Sequence, residues 1–123
     1  PLYYVQYAHA RICSILRQAS EQGDFNIENC NYELLTDEYS VELLKNLAYF
    51  PEIVAQAATN YEPHRICNYL QILASSFHKF YNNNKVITED KEQTESYLAL
   101  ITAVKITLRN ALELIGVSAP EKM

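Results

Sequence analysis

Residues 3–17 read YYVQYAHARICSILR and predict an amphipathic helix at the front of the chain. An apolar stripe at helical spacing is expected to be buried, and it consists of Val5, Ala8, Ile12, Ile15 and Ala19. A second stripe lies about 110° away around the same helix, and it consists of Tyr4, Tyr7, Arg11, Ser14 and Gln18. Aromatic rings stack on bases and guanidinium groups bind phosphates or stack on bases. The second stripe therefore has the composition of an RNA-binding surface.

The rest of the chain continues the helical pattern, because only two glycines and four prolines interrupt 123 residues. The pattern predicts an all-α fold, a single bundle of about five helices over residues 1–123. The predicted helices run from Tyr3 to Gln22, from a cap at Thr36 or Asp37 to Ala48, from Pro51 to Asn60, from Pro63 to about Asn82, and from a cap between Thr88 and Asp90 to about Ile115. Residues 24–36 form an Asn-rich connector, and Gly116 is the expected C-cap of the last helix.

The later helices also have predicted apolar faces. In the second helix the face is Val41, Leu44, Leu47 and Ala48. In the fourth it is Ile66, Tyr69 or Leu70, Leu73, Phe77 and Phe80, and in the fifth it is Tyr97, Ile101, Val104, Leu108, Leu112 and Ile115.

The charge is distributed unevenly along the chain. The net charge is −5, yet residues 1–20 and residues 63–88 contain no acid, and all three histidines fall inside these two segments. A phosphate backbone responds to the local field rather than to the net charge, so two positive segments on an acidic body remain compatible with RNA binding.

Several kinds of chemistry find no support in the sequence. Two glycines cannot build a phosphate loop, and His9 and Cys13, one helical turn apart, have no orienting acid nearby. The three cysteines are odd in number and widely spaced, which is typical of reduced thiols in a cytoplasmic protein. No apolar run approaches the ~18 residues of a membrane span. We therefore expect no catalytic residue, metal or cofactor in this chain, and no membrane partner.

Six blocks of the sequence resemble the anticodon-binding domain of the DALR type that closes the arginyl-tRNA synthetases, class I enzymes, most closely those of bacteria. The blocks are residues 3–11 (YYVQYAHAR), 47–52 (LAYFPE), 61–65 (YEPHR), 69–81 with Tyr69-Leu70, Leu73-Ala74 and FHKFY at its end, 108–112 (LRNAL) and 114–123 (LIGVSAPEKM). They follow the family order and leave only about residues 20–45 and 82–95 unmatched.

The resemblance implies an enzyme that joins arginine to its tRNA with ATP and Mg²⁺. Its nucleotide-binding catalytic domain would lie upstream of Pro1 in the same chain, and the absence of an initial methionine agrees with a piece of a longer protein. The implied partners are an arginine-accepting tRNA, through its anticodon loop, and that catalytic domain. No DNA partner is implied.

Arginine tRNAs share a central cytosine in the anticodon, and the resemblance implies that this base is recognised. The residues expected to bind RNA are Tyr4, Tyr7, Arg11, Lys79, Tyr81 and Met123. Tyr4, Tyr7 and Tyr81 would stack bases, and a carboxylate or side chain at Met123 would meet the base edge. His9 is expected to be structural, and the role of His78 stays open.

Two alternatives stay open at this point. The tyrosine stripe suits a helical protein-interaction module that docks a partner helix. The chain also suits the anticodon domain of a related class I synthetase, such as the cysteine enzyme.

Overall fold

A computed structural model describes all residues from Pro1 to Met123, and it contains helices and no strands. The helices are α1 (Leu2–Gln22), α2 (Glu38–Ala48), α3 (Phe50–Asn60), α4 (His64–Asn83) and α5 (Lys91–Leu114), with a 3-10 turn over Tyr32–Leu34. Only Tyr49 separates α2 from α3. The all-α bundle is confirmed, and the helix ends agree with the sequence pattern to within a residue or two.

Helix α4 lies at the centre of the bundle and contacts each of the other four helices. Its buried side chains include both candidates left open by the pattern, Tyr69 and Leu70, together with Phe77 and Phe80. Val5, Ala8 and Ile12 of α1 are fully buried against the same core. The apolar faces predicted for α1 and α4 are thus confirmed.

The face predicted for α2 is wrong in part: Leu47 packs against the core and Val41 is half-buried, but the other two residues are not buried. Leu43 and Ser40 are buried, whereas Leu44 and Ala48 are exposed. The Ser40 hydroxyl donates to the Asp37 carboxylate at 2.6 Å, and the Ser40 amide donates to it at 3.1 Å. Ser40 and Leu43, three residues apart, therefore lie on the same buried face of α2, and the Ser40 hydroxyl has a partner there in the N-cap Asp37.

The end of α5 determines where the last residues of the chain go. Gly116 adopts a left-handed conformation with φ 75°. The Gly116 amide donates to the Glu113 carbonyl and the Val117 amide donates to the Leu112 carbonyl, which is the Schellman pattern. Val117 packs back on the core, so the chain reverses and residues 117–123, the C-terminal tail, cross the surface of α1.

No helix of the structure is long and apolar enough to cross a membrane. The cysteines Cys13, Cys30 and Cys67 are free thiols.

Candidate nucleic-acid interface

The two acid-free segments become neighbours in the fold, because α1 packs against α4. Beside their contact lies a groove of about 490 Å³ that also borders the C-terminal tail. Its lining consists of Tyr7, Ala10, Arg11, Ser14, Ile15, Arg17 and Gln18 of α1, Tyr81 of α4, and Glu121, Lys122 and Met123 of the tail. The groove thus contains three basic side chains, one acidic side chain, two tyrosines and the end of the chain.

Arg11 occupies the middle of this groove. Its Nη1 donates to the Tyr7 hydroxyl at 2.8 Å, and its guanidinium carbon lies 4.4 Å from the centre of the Tyr81 ring. The pKa of Arg11 is raised by Tyr81 first and by Tyr7 next, so the guanidinium stays charged. None of the ion pairs in the structure involves Arg11. The two tyrosines therefore hold a cation in place without neutralising it.

The rings of Tyr4 and Tyr7 share one support, the imidazole of His78. The centre of the His78 ring lies 5.0 Å from the centre of the Tyr4 ring and 6.0 Å from that of the Tyr7 ring. The Phe77 ring also packs on His78, with 5.3 Å between the ring centres. Burial, followed by the charge of Arg11, lowers the pKa of His78, which keeps the ring neutral. Each tyrosine is 38% exposed, so a part of each ring stays open to a ligand.

The C-terminal tail is tied to α1 by three side chains. Gln6 Nε2 donates to the Ser118 carbonyl at 3.0 Å, His9 Nδ1 donates to the Pro120 carbonyl at 2.8 Å, and Arg17 Nη1 donates to the Glu121 carbonyl at 3.4 Å. Arg109 of α5 lies 4.0 Å from the Glu121 carboxylate. These contacts bring Met123, whose side chain is 52% exposed, to the groove.

The structure brings together Tyr7, Arg11, Tyr81 and Met123, with Tyr4 one turn away on the His78 support. It does not bring Lys79 to them. Lys79 lies beside Glu42 and Asn46 of α2, on the other side of α4. Residues two apart on a helix point about 200° from each other, so Lys79 and Tyr81 cannot share one face.

Sequence reasoning missed the side chains that hold the tail. Gln6, His9, Cys13 and Arg17 recur at three- and four-residue spacing and form a third, polar stripe on α1. That stripe was a usable signal for a polar partner lying along the helix. Nothing in the pattern pointed to residues 118–121 as that partner.

His9 and Cys13 form a buried pair that has the wrong chemistry for catalysis. The Cys13 sulfur lies 3.8 Å from His9 Nδ1. Burial raises the pKa of the Cys13 thiol and lowers the pKa of His9. A catalytic pair needs the thiolate beside the imidazolium, whereas both shifts favour the neutral forms.

The pKa of His9 predicts how stability depends on pH. Burial lowers the pKa, the Pro120 carbonyl opposes this, and the charges of Arg109 and Lys105 add to it. Because the unfolded chain takes up the proton first, the free energy of unfolding falls as pH drops below about 6.5, with a slope of at most about 1.4 kcal/mol per pH unit from this group. Urea unfolding at several pH values, with His9→Asn as the control, measures this slope; an equal slope in the control would contradict the assignment.

The fold and the groove define a helical module with an arginine–tyrosine surface suited to single-stranded nucleic acid. Residues 5–123 match the family model described as the DALR anticodon binding domain. The chain belongs to this family, and the resemblance noted in the sequence is confirmed.

The similar proteins agree with this assignment. The chain is 53% identical over 123 residues to the arginine–tRNA ligase of Staphylococcus carnosus and 54% identical to that of Staphylococcus aureus. In both cases the match covers 100% of this chain and 22% of the relative, so the chain spans about a fifth of the length of these curated relatives.

Two solved structures have the same fold over nearly the whole chain. The arginyl-tRNA synthetase of Thermus thermophilus superposes with a TM-score of 0.80 at 36% identity, over 98% of this chain and 21% of that one. The arginyl-tRNA synthetase of Plasmodium falciparum gives 0.81 at 31% identity, over 98% and 21%. These matches favour neither a protein-interaction module nor the cysteine enzyme.

Proposed function

We propose that this chain is the anticodon-recognition domain of a cytoplasmic, ATP-dependent arginine–tRNA ligase, and that the groove around Arg11 receives a base of the anticodon loop. The observation that carries the proposal is the meeting of Tyr7, Arg11, Tyr81 and Met123 in one groove of a DALR anticodon-binding fold. The family and the relatives support it, since both relatives are named arginine–tRNA ligases.

The groove suits a splayed base better than a duplex. At about 490 Å³ it has room for one nucleotide, and its walls combine ring faces with a cation. Stacking on an aromatic side chain contributes about 1–3 kcal/mol per base. The exposed part of the Tyr7 ring is suited to this in the groove, and that of the Tyr4 ring is suited to it one turn away, because His78 supports both rings from the protein side.

The polar groups of the groove suit a cytosine edge. The carboxylate of Met123 can accept from the exocyclic amino group of cytosine, and the Arg11 guanidinium can donate to its ring nitrogen or carbonyl. Uracil presents a carbonyl in place of the amino group, which would meet the carboxylate unfavourably. Arg17 and Lys122 also line the groove, and their charges suit the flanking phosphates.

ATP and Mg²⁺ do not fit the residues of this chain. No group of three His, Cys, Asp or Glu side chains is arranged to hold a metal ion, and the two glycines, Gly23 and Gly116, each lie at a helix end. We place both ligands with a catalytic domain in the same polypeptide, and this chain contributes tRNA binding to that reaction.

A titration with the anticodon stem-loop of an arginine tRNA tests the proposal. If Arg17 and Lys122 neutralise two phosphates, a fourfold rise in salt lowers the affinity about sevenfold. Replacing the central cytosine by uracil is expected to weaken binding further at either salt concentration. Equal affinity for both loops, or an affinity that does not change with salt, would contradict anticodon recognition by this groove.

A further inference from the structure

His9 is a polar side chain in an apolar place. It is fully buried on α1, beside the core residues Val5 and Ile12. A carbonyl oxygen only accepts, so the 2.8 Å contact with the Pro120 carbonyl requires the proton to be on Nδ1. The other ring nitrogen, Nε2, is buried and has no partner. The hydrogen bond from Nδ1 to the Pro120 carbonyl is therefore the one strong polar contact of the His9 ring.

A buried nitrogen without a partner destabilises the folded chain, because it loses its hydrogen bond to water and gains none in return. A leucine would fill a similar space without that cost, so packing alone does not account for an imidazole at position 9. The hydrogen bond to Pro120 does account for it, because an imidazole can donate to the tail carbonyl and a leucine cannot.

The remaining contacts of the tail are exposed. The Gln6 and Arg17 bonds to tail carbonyls are both solvent-exposed, and the Arg109–Glu121 pair is 4.0 Å apart with side chains 41% and 70% exposed. Exposed pairs of this kind contribute little and are screened by salt. Among the hydrogen bonds between α1 and the tail, the His9–Pro120 bond is thus the one that is partly buried, whereas the others are exposed.

We propose that His9 is a positioning residue, which fixes the tail at Pro120 and thereby holds Met123 in the groove beside Arg11. Three residues reach at most about 10 Å, so an anchor at Pro120 confines the end of the chain to the neighbourhood of the groove. His9 itself lines no part of the groove, and it acts on the ligand only through the tail. The inference rests on the proposed function, because the position of the tail affects binding only if the groove binds the anticodon base.

Two variants separate positioning from packing. His9→Leu fills the space and removes the donor, whereas His9→Asn places an amide nitrogen near the position of Nδ1 and keeps a donor. Each is made in the 123-residue chain and again in a chain that lacks residues 121–123, which gives a double-mutant cycle. Tail order is measured by the ¹⁵N heteronuclear NOE of residues 121–123, and binding is measured by titration with the anticodon stem-loop.

We expect His9→Leu to lower the NOE of these residues and to weaken stem-loop binding about tenfold, as deletion of residues 121–123 does. In the shortened chain the same substitution should have no further effect. His9→Asn should retain the tail order and bind within about twofold of the unchanged chain. A tenfold change corresponds to about 1.4 kcal/mol.

Other outcomes overturn the inference. A tail that stays ordered in His9→Leu shows that other contacts hold it, and a loss of binding that persists in the shortened chain shows that His9 acts through packing. A mobile tail with unchanged affinity removes the role in binding. If the unchanged chain binds no stem-loop, the proposed function fails, while the NOE of His9→Leu and His9→Asn still decides whether His9 fixes the tail.

Discussion

Replacing Arg11 by glutamine is expected to weaken binding of the anticodon stem-loop by about 10- to 100-fold. The guanidinium lies 4.4 Å from the Tyr81 ring centre and 2.8 Å from the Tyr7 hydroxyl, without an acidic partner. A bound base or phosphate would therefore gain a charge-assisted hydrogen bond, worth about 1.5–3 kcal/mol. Glutamine keeps the helix propensity and a polar head but removes the charge and the planar fork. Isothermal titration of the folded variant measures the loss.

Two further variants make the Arg11 result specific. Lys45→Gln removes one positive charge from an exposed position on α2 outside the groove, and it should leave the affinity within about twofold. Arg11→Lys keeps the charge without the fork and should bind at an intermediate level. If Lys45→Gln costs as much as Arg11→Gln, the general field of the protein explains the loss, and the groove has no special role.

The sequence was sufficient for those parts of the fold that local rules determine. The side chains of Asp37 and Asp90, each among the capping candidates of the pattern, cap α2 and α5, and Gly116 ends the last helix in a left-handed conformation. The face of α1 also follows from spacing alone, because its apolar residues recur without a competing set.

Helix α2 shows where such reasoning fails. It offers adjacent leucines, Leu43 and Leu44, and the 3.6-residue period does not select between them. In the structure Leu43 is buried together with Ser40, whose hydroxyl donates to Asp37, and Leu44 is 38% exposed. A hydropathy pattern assigns a serine to the surface. A serine can nevertheless be buried when its hydroxyl has a hydrogen-bond partner, and the pattern does not show that partner.

The candidate site was predictable in composition and less so in geometry. Tyr7 and Arg11 share a stripe of one helix, so their proximity follows from the sequence. Their contact with Tyr81 depends on how α1 packs on α4, and the bond from His9 to Pro120 joins residues 111 positions apart. Contacts between residues so far apart along the chain depend on how the helices pack, and the spacing of residues in one sequence does not show this packing.

Phe77→Ala is expected to lower the free energy of unfolding by about 3–5 kcal/mol, the largest effect of the substitutions considered. Phe77 is fully buried on the central helix α4, and its ring lies 5.3 Å from His78 and 6.1 Å from Tyr81. The truncation therefore leaves a cavity directly behind the rings that support the groove. For a domain with a total stability of about 5–15 kcal/mol, the variant is close to unfolding.

Urea unfolding measures the Phe77 effect as a lower midpoint with an unchanged slope. Ile72→Ala is the matched control, since Ile72 lies on the same helix and is 55% exposed, and it should change stability by less than about 0.5 kcal/mol. Phe77→Leu fills most of the cavity, and its free energy of unfolding should lie between those of Phe77→Ala and Ile72→Ala.

Because His78 and Tyr81 pack on Phe77, we also expect Phe77→Ala to weaken stem-loop binding under conditions in which it stays folded. Unchanged affinity in a folded Phe77→Ala variant would show that the groove is held by the contact between α1 and the tail and is independent of the core beneath it.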